Sequence, residues 1–207
     1  MNNTICPQRF QSEVNMDKTV ILCSGSPRRQ ELLKLLVPEF EIIKSEADET
    51  CACTDAEQFA QELSKRKANA VWGRLPGQRQ KDVILISADT SVWVDGREFG
   101  KPADRQEAFA MISRLAGRTH AVITGVTVRD EKRQVSFSEK TIVCVLPMSE
   151  KEIRNYICSR EPYDKAGGYA IQGRFSRYIT GIEGDYFNVV GLPVSHLWQV
   201  LKTFGFE

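Results

Sequence analysis

The sequence predicts an α/β protein built on a mixed β-sheet. Three observations carry that prediction. At both ends of the chain, short apolar runs alternate with helical apolar stripes. Between them, His120–Val128 and Val135–Leu146 have strand character and flank the polar turn Arg129–Gln134, as in a meander. The composition, 42% hydrophobic and 27% charged over 207 residues, is that of a soluble globular protein and excludes collagen, coiled coil and wholesale disorder. A chain of this length buries a sizeable core without disulfides or metals, and suits one domain or two small lobes sharing a cleft.

The elements come in the following order. Val20–Ser24 is apolar and ends in small residues, as a buried strand does. Ser26 can cap the next helix and Pro27 fits its first turn, where no amide donor is needed. That helix carries Leu32, Leu33, Leu35 and Leu36 on its core side and should stop near Val37-Pro38. Phe40–Ser45 alternates as a second strand, and acidic Glu46, Asp48 and Glu49 come after it. Thr54 or Asp55 caps a long helix to about Arg74, with Phe59, Leu63 and Ala70 on its stripe. Gly73–Asp82 is loop-like, and Val83–Ala88 predicts a central strand ending at Asp89-Thr90. Ser91–Val94 leads to a hairpin turn at Asp95-Gly96.

Asp104 and Glu107 match a capping box for a helix through Ala116, with Gly117 at its C-cap. Ser149 and Glu152 match another, for a helix to about Ser159. Beyond the Gly-rich stretch Lys165–Gly173, short strands are expected at Arg177–Ile182 and Tyr186–Val190, then a final helix from Pro193. The scattered Trp72, Trp93 and Trp198 are expected to be packing residues. The first 17 residues are polar, lack the apolar region of a secretory signal, and are expected to form an extension before a single domain at 18–207.

Charge and cysteines narrow the function. With 28 basic and 27 acidic residues the net charge is +1, so nucleic acid is not held by bulk electrostatics. Any phosphate site must be a local cluster of cations. No apolar run approaches the roughly 20 residues that cross a bilayer. Of the six cysteines, Cys51 and Cys53 form the only close pair, and a lone C-x-C has no second half to complete a zinc site. His120 and His196 are too few for a His-rich metal site. Reduced thiols in a cytoplasmic protein are expected.

Four places could carry chemistry. The strand–SGSPRR–helix segment sets Ser24, Ser26, Arg28 and Arg29 at a helix N-terminus, where exposed amides favour anions. Two arginines in a first turn are unfavourable without an anion to offset them, although solvated arginines are the plain alternative. Asp89 follows the apolar strand, where a general base or a metal ligand often stands; a simple Asp turn is the alternative. Lys101 in Gly100-Lys101-Pro102 is a surface lysine unless a polyphosphate lies beside it. Lys67 sits on the long helix where its stem can snorkel along the core. Asp48 and Glu49 are solvated loop acids unless they stand near Asp89, where they could complete an oxygen-rich magnesium site. In Asp164–Gly173, Gln172 offers a donor and an acceptor that can pair with a base edge, or is an exposed glutamine on a bend.

Together, Ser24–Leu33, Ala88-Asp89-Thr90, Gly100-Lys101-Pro102, Arg114–Val126, Asp164–Gly173 and Glu183–Pro193 resemble the Maf family over about residues 18–205. These are nucleoside triphosphate pyrophosphatases, once described as septum formation inhibitors. The resemblance implies a mixed α/β fold related to the inosine triphosphatases, with an elongated sheet, two lobes around a deep cleft, and a homodimer. It implies hydrolysis of a nucleoside triphosphate to monophosphate and pyrophosphate with a divalent metal, normally magnesium, with manganese as the alternative. Asp89 matches the proton acceptor; Arg28, Thr90 and Gln172 match substrate-selection positions. Ser24, Arg29, Lys67 and Lys101 match phosphate-binding positions. Glu49, with Asp48 beside it, matches the acidic metal region, which Asp89 would complete. The DKAGGYAIQG stretch resembles the branch acting on dTTP and UTP, in nucleotide-pool housecleaning. Ala170 departs from the usual glycine, and Arg174–Arg177 reads RFSR. Two other functions fit the same family: a non-catalytic nucleotide-binding regulator of cell division, and a purine-directed pyrophosphatase.

Overall fold

A computed structural model describes residues 18–207. Its seven strands form one mixed sheet: β1 (Thr19–Leu22), β2 (Glu41–Ile42), β3 (Val83–Val94), β4 (Arg97–Phe99), β5 (Thr119–Arg129), β6 (Gln134–Val145) and β7 (Ile179–Glu183). The order is β2-β1-β3-β5-β6-β7, with β4 also paired to β3. The helices are α1 (Pro27–Leu33), α2 (Ala56–Trp72), α3 (Gly77–Gln80), α4 (Arg105–Leu115), α5 (Glu150–Ile157), α6 (Tyr186–Val190) and α7 (Val194–Thr203). The expected extension at residues 1–17 lies outside the described residues. The α/β prediction with a mixed sheet is borne out: β1 runs parallel to β2 and β3, and the remaining pairs are antiparallel.

Strand parity sorts the core. Ile84, Ile86 and Ala88 of β3 pack with Val20 and Leu22 of β1 against Leu32 and Leu33 of α1 and Leu197 and Leu201 of α7. The opposite face carries Val83, Leu85, Ile21 and Cys23 against Val71 and Trp72 of α2. Burial pushes the Cys23 thiol up to about 12, which keeps it an inert, protonated packing group. Farther along, Val92 and Val94 join Ile112 and Leu115 of α4 and Ile153 and Ile157 of α5.

Three expectations need correction. β3 does not end at Asp89 but runs unbroken to Val94, because β5 pairs with it residue for residue, including Asp89 with Gly125 and Thr90 with Thr124. Tyr186–Val190 is a helix, not a strand: Asp185 caps it by accepting from the Phe187 amide, a short apolar run having no intrinsic preference between the two forms. Cys51 and Cys53 form a disulfide, their sulfurs brought together across one residue of the loop before α2. Smaller differences arise from local packing. β2 shrinks to two exposed residues at the sheet edge, α3 forms a single turn inside the expected loop, and Leu35 is 62% exposed.

The caps follow expectation in part: Ser26 stands at the N-cap of α1 but its side chain makes no capping hydrogen bond, and the Glu107 carboxylate accepts from the Ala103 amide, so the box at α4 is not closed. Asp55 and Asp104 each accept from the amide three residues on. Asp95 and Gly96 both adopt positive φ, the type I′ pattern that suits the β3–β4 hairpin. At α5, Ser149 Oγ accepts from the Glu152 amide while the Glu152 carboxylate accepts from the Ser149 amide. Ser149→Ala should cost about 1 kcal/mol. Differential scanning calorimetry should then show Tm lower by about 2–4 °C.

Pairing and close packing shape the region around the middle of β3. β1 pairs with β3 only as far as Ile86, and β4 takes over only at Val92, so Ser87–Ser91 has no strand partner on that edge. The chain leaves β1 for β2 on one side and returns to β3 on the other, the arrangement that opens a crevice at the carboxyl end of β1. Gly125 lies under α2, where a Cβ would fall inside the backbone of Ala60. Its bare backbone lets α2 lie close against β5.

Candidate active site

A cavity of about 330 Å³ opens at the gap along β3 and draws its walls from both faces of the sheet. Successive residues of a strand point to opposite faces. Asp89 therefore projects towards α2, while Thr90 projects towards α1. Arg28, Arg29, Glu49, Lys67, Asp89, Thr90, Lys101 and Gln172 all line this one cavity.

On the α2 side, Phe59, Leu63 and Lys67 recur at a spacing of four and share the face above the cavity. The Lys67 ammonium bridges two carboxylates: Nζ is 2.5 Å from Asp89 Oδ1 and 2.8 Å from Glu49 Oε1. The hydrogen bond from Lys67 holds the Glu49 carboxyl below its ordinary value, with Lys101 and Arg29 adding to the effect. Asp89 is 8% exposed, and its second oxygen has no hydrogen-bond partner among the described residues.

On the α1 side, Arg29 is clamped at three points. Nε donates to the Gly191 carbonyl at 2.9 Å, Nη1 to Ser24 Oγ at 3.3 Å and Nη2 to Thr90 Oγ1 at 2.9 Å. Burial pulls the guanidinium below its ordinary value; Asp89 and Glu49 oppose that by favouring the charged form, while neighbouring Arg28 adds to it. Ser24 is buried behind Arg29 and also accepts from the Ser26 amide at 3.2 Å, so it braces the arginine and does not line the cavity. The Gly167 amide donates to the Gly100 carbonyl at 2.9 Å, which ties the Gly-rich stretch to the loop carrying Lys101.

A family model described as Maf-like protein matches residues 19–204 of this chain. The chain belongs to the Maf-like family. It is 46% identical over 189 residues to the dTTP/UTP pyrophosphatase of Carboxydothermus hydrogenoformans, covering 90% of this chain and 99% of that one. It is also 46% identical over 186 residues to that of Thermosipho africanus, covering 90% and 93% of the two chains. With a Bacillus cereus relative of the same name it is 42% identical over 191 residues, covering 92% and 97%.

Most of the residues singled out from sequence converge in this Maf-like cavity, but Asp48 does not. Its carboxylate folds back on Thr50, accepting from the amide at 2.9 Å and the hydroxyl at 2.7 Å, and it lies outside the lining. Among the described residues, no group of three or more His, Cys, Asp and Glu side chains is arranged to hold a metal. Glu49 and Asp89 alone face each other across Lys67. A pair of carboxylates suits magnesium, which takes one or two from protein and the rest of its shell from phosphate and water.

The Maf-like cavity also contains residues that sequence reasoning missed. Glu98 lines it, paired with Trp93 in register and so on the Asp89 face. Burial raises the Glu98 carboxyl above its ordinary value, with Asp89 and Glu49 adding to the shift. Strand parity alone would have found it, had β3 been read through to Val94. Tyr169 also lines the cavity, its hydroxyl 2.6 Å from His120 Nε2. Burial pulls His120 down to about 4, so this pair is neutral and rigid at pH 7. Of the two departures from the family pattern, Ala170 reaches the cavity; Arg174–Arg177 starts a turn whose first amides donate to Glu161.

Proposed function

We propose that this chain hydrolyses dTTP and UTP to the monophosphate and pyrophosphate, and so clears pyrimidine nucleotides from the pool. The observation that carries the reading is the meeting of Arg28, Arg29, Lys67 and Lys101 with Asp89 in one cavity. The names of the relatives, at 42–46% identity over nearly the whole domain, support it.

The reaction needs charge neutralisation and positioning more than covalent chemistry. The four cations offset the triphosphate and stabilise charge building on the leaving pyrophosphate. Lys67 holds one oxygen of Asp89, leaving the other to orient a water and take its proton as it attacks the α-phosphorus. Glu49 and Asp89, rather than Asp48, are the residues that would hold magnesium or manganese, together with phosphate oxygens. Such an ion supplies further neutralisation and polarises the phosphoryl group. Gln172 lines the cavity, where its amide can pair with the O4 and N3–H edge that uracil and thymine share. We place the enzyme in the cytoplasm and, on the family resemblance, as a homodimer; its partner is a small nucleotide, not nucleic acid or membrane. No described helix is long and apolar enough to cross a bilayer.

The test is a steady-state panel of dTTP, UTP, CTP, ATP and GTP with magnesium, scoring pyrophosphate against orthophosphate. dTTP and UTP should exceed ATP and GTP in kcat/KM by about a hundredfold, with pyrophosphate as product. A preference for ATP, or release of orthophosphate, overturns the reading.

A further inference from the structure

Behind Arg29 and Thr90 lies a chain of buried hydrogen bonds with one direction. Asn188 and Thr124 are both 0% exposed. The Thr124 amide donates to Asn188 Oδ1 at 3.1 Å, which orients the carboxamide. Asn188 Nδ2 then donates to the Val122 carbonyl at 3.0 Å and to Thr141 Oγ1 at 2.9 Å. Thr141 in turn donates its hydroxyl proton to the Asp185 carbonyl at 2.9 Å. Every polar atom of the Asn188 side chain is satisfied, so the arrangement has no slack.

The consequence reaches the cavity. Thr124 Oγ1 donates its only proton to the main-chain carbonyl of Asn188, at 2.9 Å. In its 2.9 Å contact with Thr90 Oγ1, Thr124 must therefore accept, and Thr90 must donate. Thr90 also accepts from Arg29 Nη2 at 2.9 Å. A hydroxyl has one proton and two lone pairs. With the proton committed inward and one lone pair on Arg29, Thr90 presents only a lone pair to the cavity it lines.

We propose that Thr90 acts on the substrate solely as a hydrogen-bond acceptor, and that Thr124 and Asn188 are the positioning residues that impose this. An acceptor repels a phosphate oxygen and pairs with a donor. Thr90 therefore reads a sugar hydroxyl or the base N–H of the nucleoside, and does not hold the triphosphate. This inference rests on the nucleotide reading above and assigns one contact within it. The buried network thereby acts on specificity through a residue that touches the substrate, although neither Thr124 nor Asn188 lines the cavity.

The test uses Thr124→Val and Thr124→Ser in the full chain. Thr124→Val leaves Thr90 its contact with Arg29 but frees its proton to turn towards the cavity. Calorimetry would follow binding of α,β-imido-dTTP, which resists cleavage, and of inorganic tripolyphosphate, which has no nucleoside. The expected result is nucleotide affinity weaker by about tenfold, tripolyphosphate affinity unchanged within about twofold, and recovery of the nucleotide affinity in Thr124→Ser. With dTTP as substrate, KM should rise by the same factor while kcat stays within about threefold. Equal weakening of both ligands, or no weakening of the nucleotide, overturns the inference. If Thr124→Val does not fold, Thr124→Ala carries the same comparison, since it also removes the hydroxyl that accepts from Thr90 and leaves the Thr90 contact with Arg29 in place. Wild-type protein that binds the imido nucleotide but cleaves neither dTTP nor UTP defeats the pyrophosphatase reading and leaves this contact to stand or fall on the affinity ratio.

Discussion

Asp89→Asn should lower kcat for dTTP by about a thousandfold or more, while nucleotide affinity stays within about threefold. The amide matches the carboxylate in shape, and its oxygen can still accept from Lys67, now 2.5 Å from Asp89. The clamp on Arg29 involves Gly191, Ser24 and Thr90 and is left untouched. What disappears is the ability to take a proton from water. Affinity is compared without divalent metal, since Asp89 is one of the two carboxylates that would hold it; there, removing a negative charge beside a polyanion does not weaken binding. Steady-state kinetics and calorimetry with the imido nucleotide separate the two effects. Turnover within about tenfold of wild type would remove Asp89 from its role as base. The substitution has a second readout: Asp89 is one of two charges that add to the raised Glu98 carboxyl, so Glu98 should titrate at lower pH in the variant when followed by carbon NMR.

Gly125→Ala should be the most destabilising single-methyl change in the sheet, at about 3 kcal/mol or more. The new Cβ would occupy the backbone of Ala60, with the Gln61 amide beside it, and backbone cannot rotate away as a flexible side chain can. α2 must then lift from β5, breaking the buried contact between Ser64 and Thr127 hydroxyls at 2.8 Å. Calorimetry should show Tm lower by about 6–12 °C. Because α2 also carries Lys67, the folded fraction should lose activity as well. A Tm within about 2 °C of wild type would show that the helix seat has room to spare.

Local signals made much of the fold legible. Asp55, Asp104 and Ser149 announce helix starts because an unpaired amide needs an oxygen close by in sequence. The site's cations were legible for a related reason: two arginines at a helix N-terminus conflict with its dipole unless an anion comes. Distant partners decided the rest. β3 continues through Asp89, Thr90 and Ser91 because β5 holds them extended, and no window of the β3 sequence contains that partner. Tyr186–Val190 has β-favouring residues but is helical, because the carboxylate of Asp185 caps it. Asp48 and Glu49 are adjacent acids with opposite fates, since one finds Thr50 beside it and the other finds Lys67 on α2. Asn188 stood within a recognisable motif, yet its role depends on Thr124, 64 residues away along the chain.

Asp89 and Thr90 are neighbours on one strand, so a single peptide unit joins the residue proposed to take the proton to the residue proposed to read the nucleoside. Flexing of the helices against the sheet can widen or narrow the space above either residue but cannot change the distance between them. Catalysis and selection therefore share one rigid ruler. One residue inserted between them would put both side chains on the same face of the sheet, and the pairing of the two properties would be lost.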